Sequence, residues 1–134
     1  MPHQPTVLIA HHLPHVSITL QHLLHQAGVR NITVVWQGDE AVAKALSLQP
    51  DLVLLDVLLP QIDGYGACQM IQQGWDTHGG RVWLLSERAS HVDVDQARQV
   101  GAERVIEEPF DPDEVVALVQ QTLGLKAMPT ALAG

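Results

Sequence analysis

Cysteine occurs once, at Cys68, so this chain of 134 residues has no pair with which to close an intramolecular disulfide. Basic residues are scarce as well: seven Lys and Arg face fifteen Asp and Glu, a formal net charge of −8 with the histidines neutral. Without a basic stripe to neutralise phosphates along a duplex, direct nucleic-acid binding is not expected. No apolar run approaches the ~20 residues that span a bilayer, and the N-terminus lacks the basic, apolar and small-residue succession of a secretory signal. These absences predict a cytoplasmic protein with no membrane partner. Repeats, low-complexity tracts and linkers are also missing. The length suits one domain, in which roughly two thirds of the unfolded surface can be buried, and 46% hydrophobic with 16% charged residues is a globular balance.

What the chain does have is Val, Ile and Leu in short bursts: "TVLIA" from Thr6, "ITVVW" from Ile32, "DLVLLD" from Asp51, "RVWLL" from Arg81 and a weaker "RVIEE" from Arg104. Runs this short and this continuously apolar read as strands covered on both faces, as in a parallel sheet. Helical patterns lie between them. Pro14 opens the first, Val16, Leu20, Leu23, Leu24 and Ala27 form its apolar stripe, and Gly28 closes it. The second is expected to be capped by Asp39 and to bury Val42, Ala45 and Leu46; the third follows Gly64 with Ala67, Met70 and Ile71; the fourth starts near Ser90 with Val94, Ala97 and Val100. The fifth has Asp111 as cap, Pro112 at the first position and Glu114 three residues after the cap, ahead of Val115, Val116, Val119 and Leu123. Five alternations of strand and helix predict an α/β sandwich around a parallel sheet with right-handed crossovers. Residues 125 to 134 carry no pattern and are expected to form a loose tail.

In open parallel sheets, ligands and chemistry gather beyond the carboxyl ends of the strands. The first strand ends on His11 and His12, the third on Asp56, the fourth on Ser86 and Glu87, and the fifth on Glu107, Glu108 and Pro109. Asp56 interrupts "LVLLDVLLP", otherwise the most apolar stretch of the chain, and a carboxylate in such a place needs partners. A plain strand-end role, bonding nearby backbone amides, accounts for it as well as a chemical one does.

From "VLIAHH" through "DLVLLDVLLPQIDGYGA" to "LLSE" and "EEPFDPDEV", the sequence resembles a receiver domain of the bacterial two-component response regulators, over about residues 5 to 124. Asp56 at a strand end, then Pro60 and the Asp63, Gly64 pair, is its most specific part, with Pro109 and Phe110 ahead of a capped helix in support. The resemblance implies a flavodoxin-like fold of five parallel strands in the order 2-1-3-4-5 with helices on both faces. It also implies that Asp56 stands where a histidine kinase delivers a phosphoryl group, that Ser86 is the switch hydroxyl, and that the bond before Pro109 is cis.

Four other positions depart from that pattern. His11 and His12 stand where the family has an acidic pair that holds magnesium, and Glu108 stands where it has a lysine that pairs with the phosphoryl group. Glu87 replaces a small residue, and Val105 an aromatic. Magnesium takes oxygen ligands, whereas imidazole suits zinc, copper, nickel or iron, so little magnesium affinity is expected. A glutamate ~4 Å from a phosphoryl oxygen would repel it by about 4 kcal/mol per unit charge at an effective dielectric of 20. His11 and His12 can instead pair with Asp56 and Glu108, which satisfies the pocket without a phosphoryl group.

Three readings follow. The first is a stand-alone, non-enzymatic receiver in phosphorelay signalling that binds protein partners without being phosphorylated and has no output domain. In the second, Asp56 remains a working phosphoacceptor. The third makes His11, His12 and Asp56, with Glu108, a transition-metal or pH-sensing site, since histidines change charge between about pH 5 and 8. Adjacent strand residues point to opposite faces, so both histidines reach one pocket only if the strand has already ended. Partners would be a histidine kinase or a downstream protein. The face of the fourth helix, fifth strand and fifth helix, with Asp93, Arg98, Arg104 and Glu114, is a docking or homodimer surface that the resemblance implies only weakly, since Val105 lies on it. Among the remaining histidines, His22 and His25 read as solvated helix positions, His78 as a loop residue, His91 as a helix start, His15 as a polar rim and His3 as part of a terminus. Trp36, Trp75 and Trp83 read as packing residues.

Overall fold

A computed structural model describes residues 4–75, 80–87 and 94–125. The elements alternate: β1 (Thr6–Ala10), α1 (Pro14–Ala27), β2 (Asn31–Val35), α2 (Gly38–Leu48), β3 (Leu52–Asp56), α3 (Gly64–Gly74), β4 (Arg81–Ser86), α4 (Val94–Gln99), β5 (Arg104–Glu107) and α5 (Pro112–Leu123). All four strand pairings are parallel and the order is β2-β1-β3-β4-β5. His78, His91, Ser90, Asp93 and His3 lie outside the described residues, as does everything beyond Leu125.

The central strands are buried on both faces, which explains their unbroken apolar sequence. Alternation along β1 and β3 divides their side chains between two cores. Val7, Ile9, Leu52 and Leu54 pack with Leu20, Leu24 and Val119 of α1 and α5, whereas Leu8, Ala10, Val53 and Leu55 pack with Ala41, Ala45 and Ile71 of α2 and α3. Each such aliphatic side chain contributes about 1.5–3 kcal/mol by leaving water. Trp83 is buried in the first of these cores, with its indole N–H donated to Glu103 at 3.1 Å and the Arg104 guanidinium 5.5 Å from its ring. Leu125, just past the left-handed Gly124 that ends α5, packs against the same core, although the sequence assigns it to the tail.

Helix ends follow the sequence signals unevenly. Asp111 accepts the N–H groups of Asp113 and Glu114, so it caps α5 as its position suggests, and Asp63 accepts that of Gly66 at 2.8 Å, a cap of α3 that the sequence reading did not name. Gly28 ends α1 at φ 103°, a left-handed conformation that glycine adopts without a Cβ penalty. Asp39, expected as the cap of α2, lies inside its first turn, and Gln37 holds the cap position without a side-chain bond.

Some expected core positions are exposed. Leu46 (37%) lies on α2 over Gly74 of α3, whose missing Cβ leaves room for it: a Cβ there would come within 2.6 Å of the leucine. On α3, Ala67, Cys68 and Ile71 take the core-facing stripe, leaving Met70 45% exposed. Val94, 60% exposed, begins α4 one turn before Ala97 meets the sheet. Trp75 packs as expected and donates to the Ala45 carbonyl at 3.1 Å, but Trp36, one residue past β2, is 43% exposed.

The loop from β3 to α3 is fixed at backbone level. The Pro60 carbonyl accepts from Gly38 and Ile62 at 3.0 and 2.9 Å, and the Gly64 N–H returns to the Val57 carbonyl at 3.1 Å. A Cβ on Gly38 would lie 1.7 Å from the Ile62 oxygen, and one on Gly64 would lie 2.4 Å from the Asp56 oxygen. Glycine is required at both places because another backbone passes too close. The bond between Glu108 and Pro109 is cis, as the resemblance implies.

Candidate functional site

Three strand ends deliver one cluster. β1 stops at Ala10, and although the His11 N–H still reaches the Val35 carbonyl at 3.3 Å, both histidines lie beyond the strand. The alternation that would send them to opposite faces no longer applies. Their rings stack, 9° from parallel with centroids 5.2 Å apart. Asp56 is the last residue of β3 and 2% exposed, and Glu108 follows β5 at 8%.

His11 is fully buried, and its two ring nitrogens meet different neighbours. Nδ1 accepts the Leu13 N–H at 3.1 Å, so its lone pair is directed there and the ring hydrogen belongs on Nε2. Nε2 donates to Glu108, 3.2 Å from Oε1 and 3.4 Å from Oε2. His12 is 28% exposed on its side chain, and its Nδ1 makes a close contact with Asp56 Oδ2. An ionised carboxylate only accepts, so this nitrogen is the donor.

Asp56 is fully engaged by the chain itself. Oδ1 accepts the Leu58 N–H at 3.0 Å, while Oδ2 accepts the His12 N–H at 3.3 Å in addition to the imidazole. His11 Nδ1 stands 3.7 Å from the same Oδ2. A buried carboxylate with several donors is one whose desolvation is compensated.

Ser86 and Glu87 occupy different ground. Ser86 is buried at the end of β4, where its carbonyl accepts the Glu108 N–H at 2.7 Å, and its side chain lines a cavity of about 620 Å3 with Leu58, Asp63 and Tyr65. Glu87 is exposed at the edge of that cavity and of a second groove of about 520 Å3, which runs between α1 and the turn before α5. His15, Val16, Phe110 and Pro109 line this groove, so the rim position expected of His15 is observed there, and His22 and His25 are exposed on α1. Arg98, Arg104 and Glu114 are exposed on the α4, β5, α5 face, and Val105 is half-buried.

The donor set does not suit magnesium. A hard ion that requires near-octahedral oxygen coordination would find two imidazoles, and an Asp56 whose oxygens already accept hydrogen bonds. His11, His12 and Asp56 do bring three ligand atoms within 4.8 Å of one another.

Sequence reasoning did not identify the amides of Leu13 and Leu58. Any residue type presents an amide, so composition carries no sign of these two donors. Cys68 takes no part in the site: burial in the α3 core pushes its thiol up to about 12, and its S–H donates to the Val100 carbonyl at 3.3 Å.

Comparison with known proteins gives a consistent picture. The family model described as the response regulator receiver domain matches residues 7–120. The DNA-binding dual master transcriptional regulator RpaA of Synechocystis is 32% identical over 89% of this chain, and the match spans 49% of RpaA. Protein PilG of Pseudomonas aeruginosa is 28% identical over 76% of this chain and 75% of its own length. The chain thus spans about half of the first of these relatives and three quarters of the second. Among solved structures, a putative response regulator from Chloroflexus aurantiacus superposes with a TM-score of 0.80 at 27% identity, covering 91% of this chain and 99% of its own. The receiver domain of the sensor histidine kinase PA1611 from Pseudomonas aeruginosa, with a magnesium ion in its active-site cleft, superposes equally well at 25% identity, over 91% of this chain and 99% of that one.

Proposed function

The chain belongs to the response regulator receiver domain family of two-component signalling, and from that membership we propose that it works as a phosphorylation-independent binding module. It binds protein partners in the cytoplasm through a receiver surface and performs no catalysis of its own.

One observation carries this reading: both oxygens of Asp56 are held by donors of the same chain, and Glu108, which the resemblance puts at the place of the phosphate-pairing lysine, is bonded to His11. Phosphoryl transfer relies on positive charge placed around the developing anion. Here the groups of the cluster are two carboxylates and two imidazoles already paired with them. Two donors would have to be displaced before Oδ2 could attack phosphorus, and the incoming phosphoryl group would meet Glu108.

A receiver fold kept without phosphorylation still offers surfaces. The α4, β5, α5 face presents Val94, Arg98 and Arg104 around a shallow apolar patch, with Glu114 exposed on α5, which fits a protein partner or a second copy of the chain.

The test is intact mass after incubation with a small phosphodonor such as acetyl phosphate, with magnesium, manganese or chelator, beside an Asp56→Ala variant. The expected result is no adduct in any arm. An adduct of one phosphoryl group that disappears in Asp56→Ala would overturn the reading in favour of a working phosphoacceptor.

A further inference from the structure

We propose that His11, His12 and Asp56 form a binding site for a borderline divalent cation of the zinc type, oriented by Glu108. The inference goes beyond the binding-module reading and does not rest on it.

Geometry is the first argument. His11 Nδ1 and Asp56 Oδ2 are 3.7 Å apart, and the three ligand atoms lie within 4.8 Å of one another. Two ligands of a tetrahedral ion held at about 2.0–2.1 Å are themselves about 3.4 Å apart. To enclose an ion, the partly exposed His12 ring must draw back from Asp56 and turn, and His11 Nδ1 must give up the Leu13 N–H. Both Nδ1 atoms lie beside the same carboxylate oxygen, but the rings are 9° from parallel and an imidazole lone pair lies in its ring plane, so the His12 ring must turn for the two lone pairs to meet at one ion.

The hydrogen positions are the second argument. A ligating imidazole needs a lone pair on the metal side and commonly donates its other N–H to a carboxylate, which fixes the tautomer. His11 already has this arrangement: Nε2–H is donated to Glu108 and the lone pair is on Nδ1. Only the Leu13 amide, at 3.1 Å, competes for it. His12 must exchange tautomers, its hydrogen moving through solvent from Nδ1 to Nε2. Its partial exposure permits this, and no net proton is gained or lost by the neutral ring.

Chemical preference is the third. Two nitrogens and one carboxylate oxygen favour zinc, copper or nickel over magnesium. The ion would bring two positive charges to a pocket holding the carboxylates of Asp56 and Glu108. Three protein ligands with His12 reaching solvent leave a fourth position for water or for a donor from a docking protein.

The experiment is a calorimetric titration of the untagged 134-residue chain with Zn2+ and, separately, with Mg2+, supported by native mass spectrometry for stoichiometry and by the visible absorption of the Co2+ form. The expected result is one Zn2+ per chain, bound at least about a hundredfold more tightly than Mg2+, with a tetrahedral Co2+ spectrum. His12→Ala should lower the affinity at least tenfold and alter that spectrum, while the His22→Ala/His25→Ala variant on the exposed face of α1 should bind like the parent. Glu108→Gln should weaken binding by about 10 to 100-fold with one ion still bound, as expected of a positioning residue. Failure to bind Zn2+ at micromolar concentration, or unchanged binding in His12→Ala, would overturn the site. His12 is partly exposed, so that variant is not expected to fail by unfolding. Ion binding is read separately from the phosphodonor mass test, so either proposal can fall alone.

Discussion

The loop from β3 to α3 and the cluster beside it share Asp56 as a border, yet they are specified in different ways. In the loop the constraint is backbone against backbone, through Gly38, Gly64 and the Pro60 carbonyl, and no side chain could substitute. In the cluster the constraint is side chain against side chain, and the pairs His11 with Glu108 and His12 with Asp56 complement each other. A frame of this kind keeps its geometry while the groups it presents are exchanged in matched sets. The receiver fold thus accommodates a pocket of paired imidazoles and carboxylates.

The comparison breaks first at the frame. Gly38→Ala would put a Cβ 1.7 Å from a backbone oxygen with no flexible side chain to yield, so destabilisation at the upper end of the overpacking range, about 3 kcal/mol, is expected in urea unfolding. A change below about 1 kcal/mol would mean that the loop can move away, and that the frame is softer than the cluster.

Glu108→Lys tests the matched pairs. It places a cation opposite the donor Nε2 of buried His11, and the lost bond together with the unpaired buried groups should cost about 2 kcal/mol in the same measurement. The His11→Asp/Glu108→Lys double variant should recover about half of that loss or more, because acid and base are then exchanged together. Equal melting of the wild type and the Glu108→Lys variant would show that the pairs are not matched.

Away from both regions, Cys68 sets a slope with pH. Its thiol is raised from 9.0 to about 12 in the folded chain, so folding favours the protonated form. The contribution is fully present below the unfolded value and is lost as pH rises through the interval toward the folded one. Stability should fall there by up to about 1.4 kcal/mol per pH unit from this group. Cys68→Ala should remove that part of the slope, as chemical denaturation at pH 8 and pH 10.5 would show, and an unchanged slope would place its origin elsewhere.

Much of the fold was legible because it depends on pattern. The apolar bursts became β1 to β5, and Asp111 with Pro112 marked the start of α5 where the structure has it. His11, Asp56 and Glu108 were read from where the apolar runs stop, whereas strand order and the cis bond before Pro109 came from the family resemblance. Local contacts were harder to read. Leu46 lies outside the sheet-facing core and over Gly74 of α3, a pairing of two helices that neither periodicity announces. That both histidines face Asp56 depended on β1 ending at Ala10, one residue before the pair, and strand ends are where sequence patterns resolve least. The Leu13 and Leu58 amides, which decide a tautomer and occupy Asp56, have no sequence signal.

The smallest expected effect distinguishes the two histidines. His11 is fully buried and holds Glu108, whereas the His12 side chain is 28% exposed and holds one oxygen of Asp56. In His12→Ala that oxygen keeps the backbone N–H of residue 12, and water can replace the imidazole at the open side, so no buried group is left without a partner. The cost in urea unfolding should therefore stay below about 1 kcal/mol, within the ordinary net value of one hydrogen bond. A loss as large as that of Glu108→Lys would mean that water does not reach Asp56 and that the cluster is closed at both histidines. The small loss is expected because the two pairs differ in depth: His11 with Glu108 contributes to folding, while His12 with Asp56 is the pair that a ligand or partner can reach.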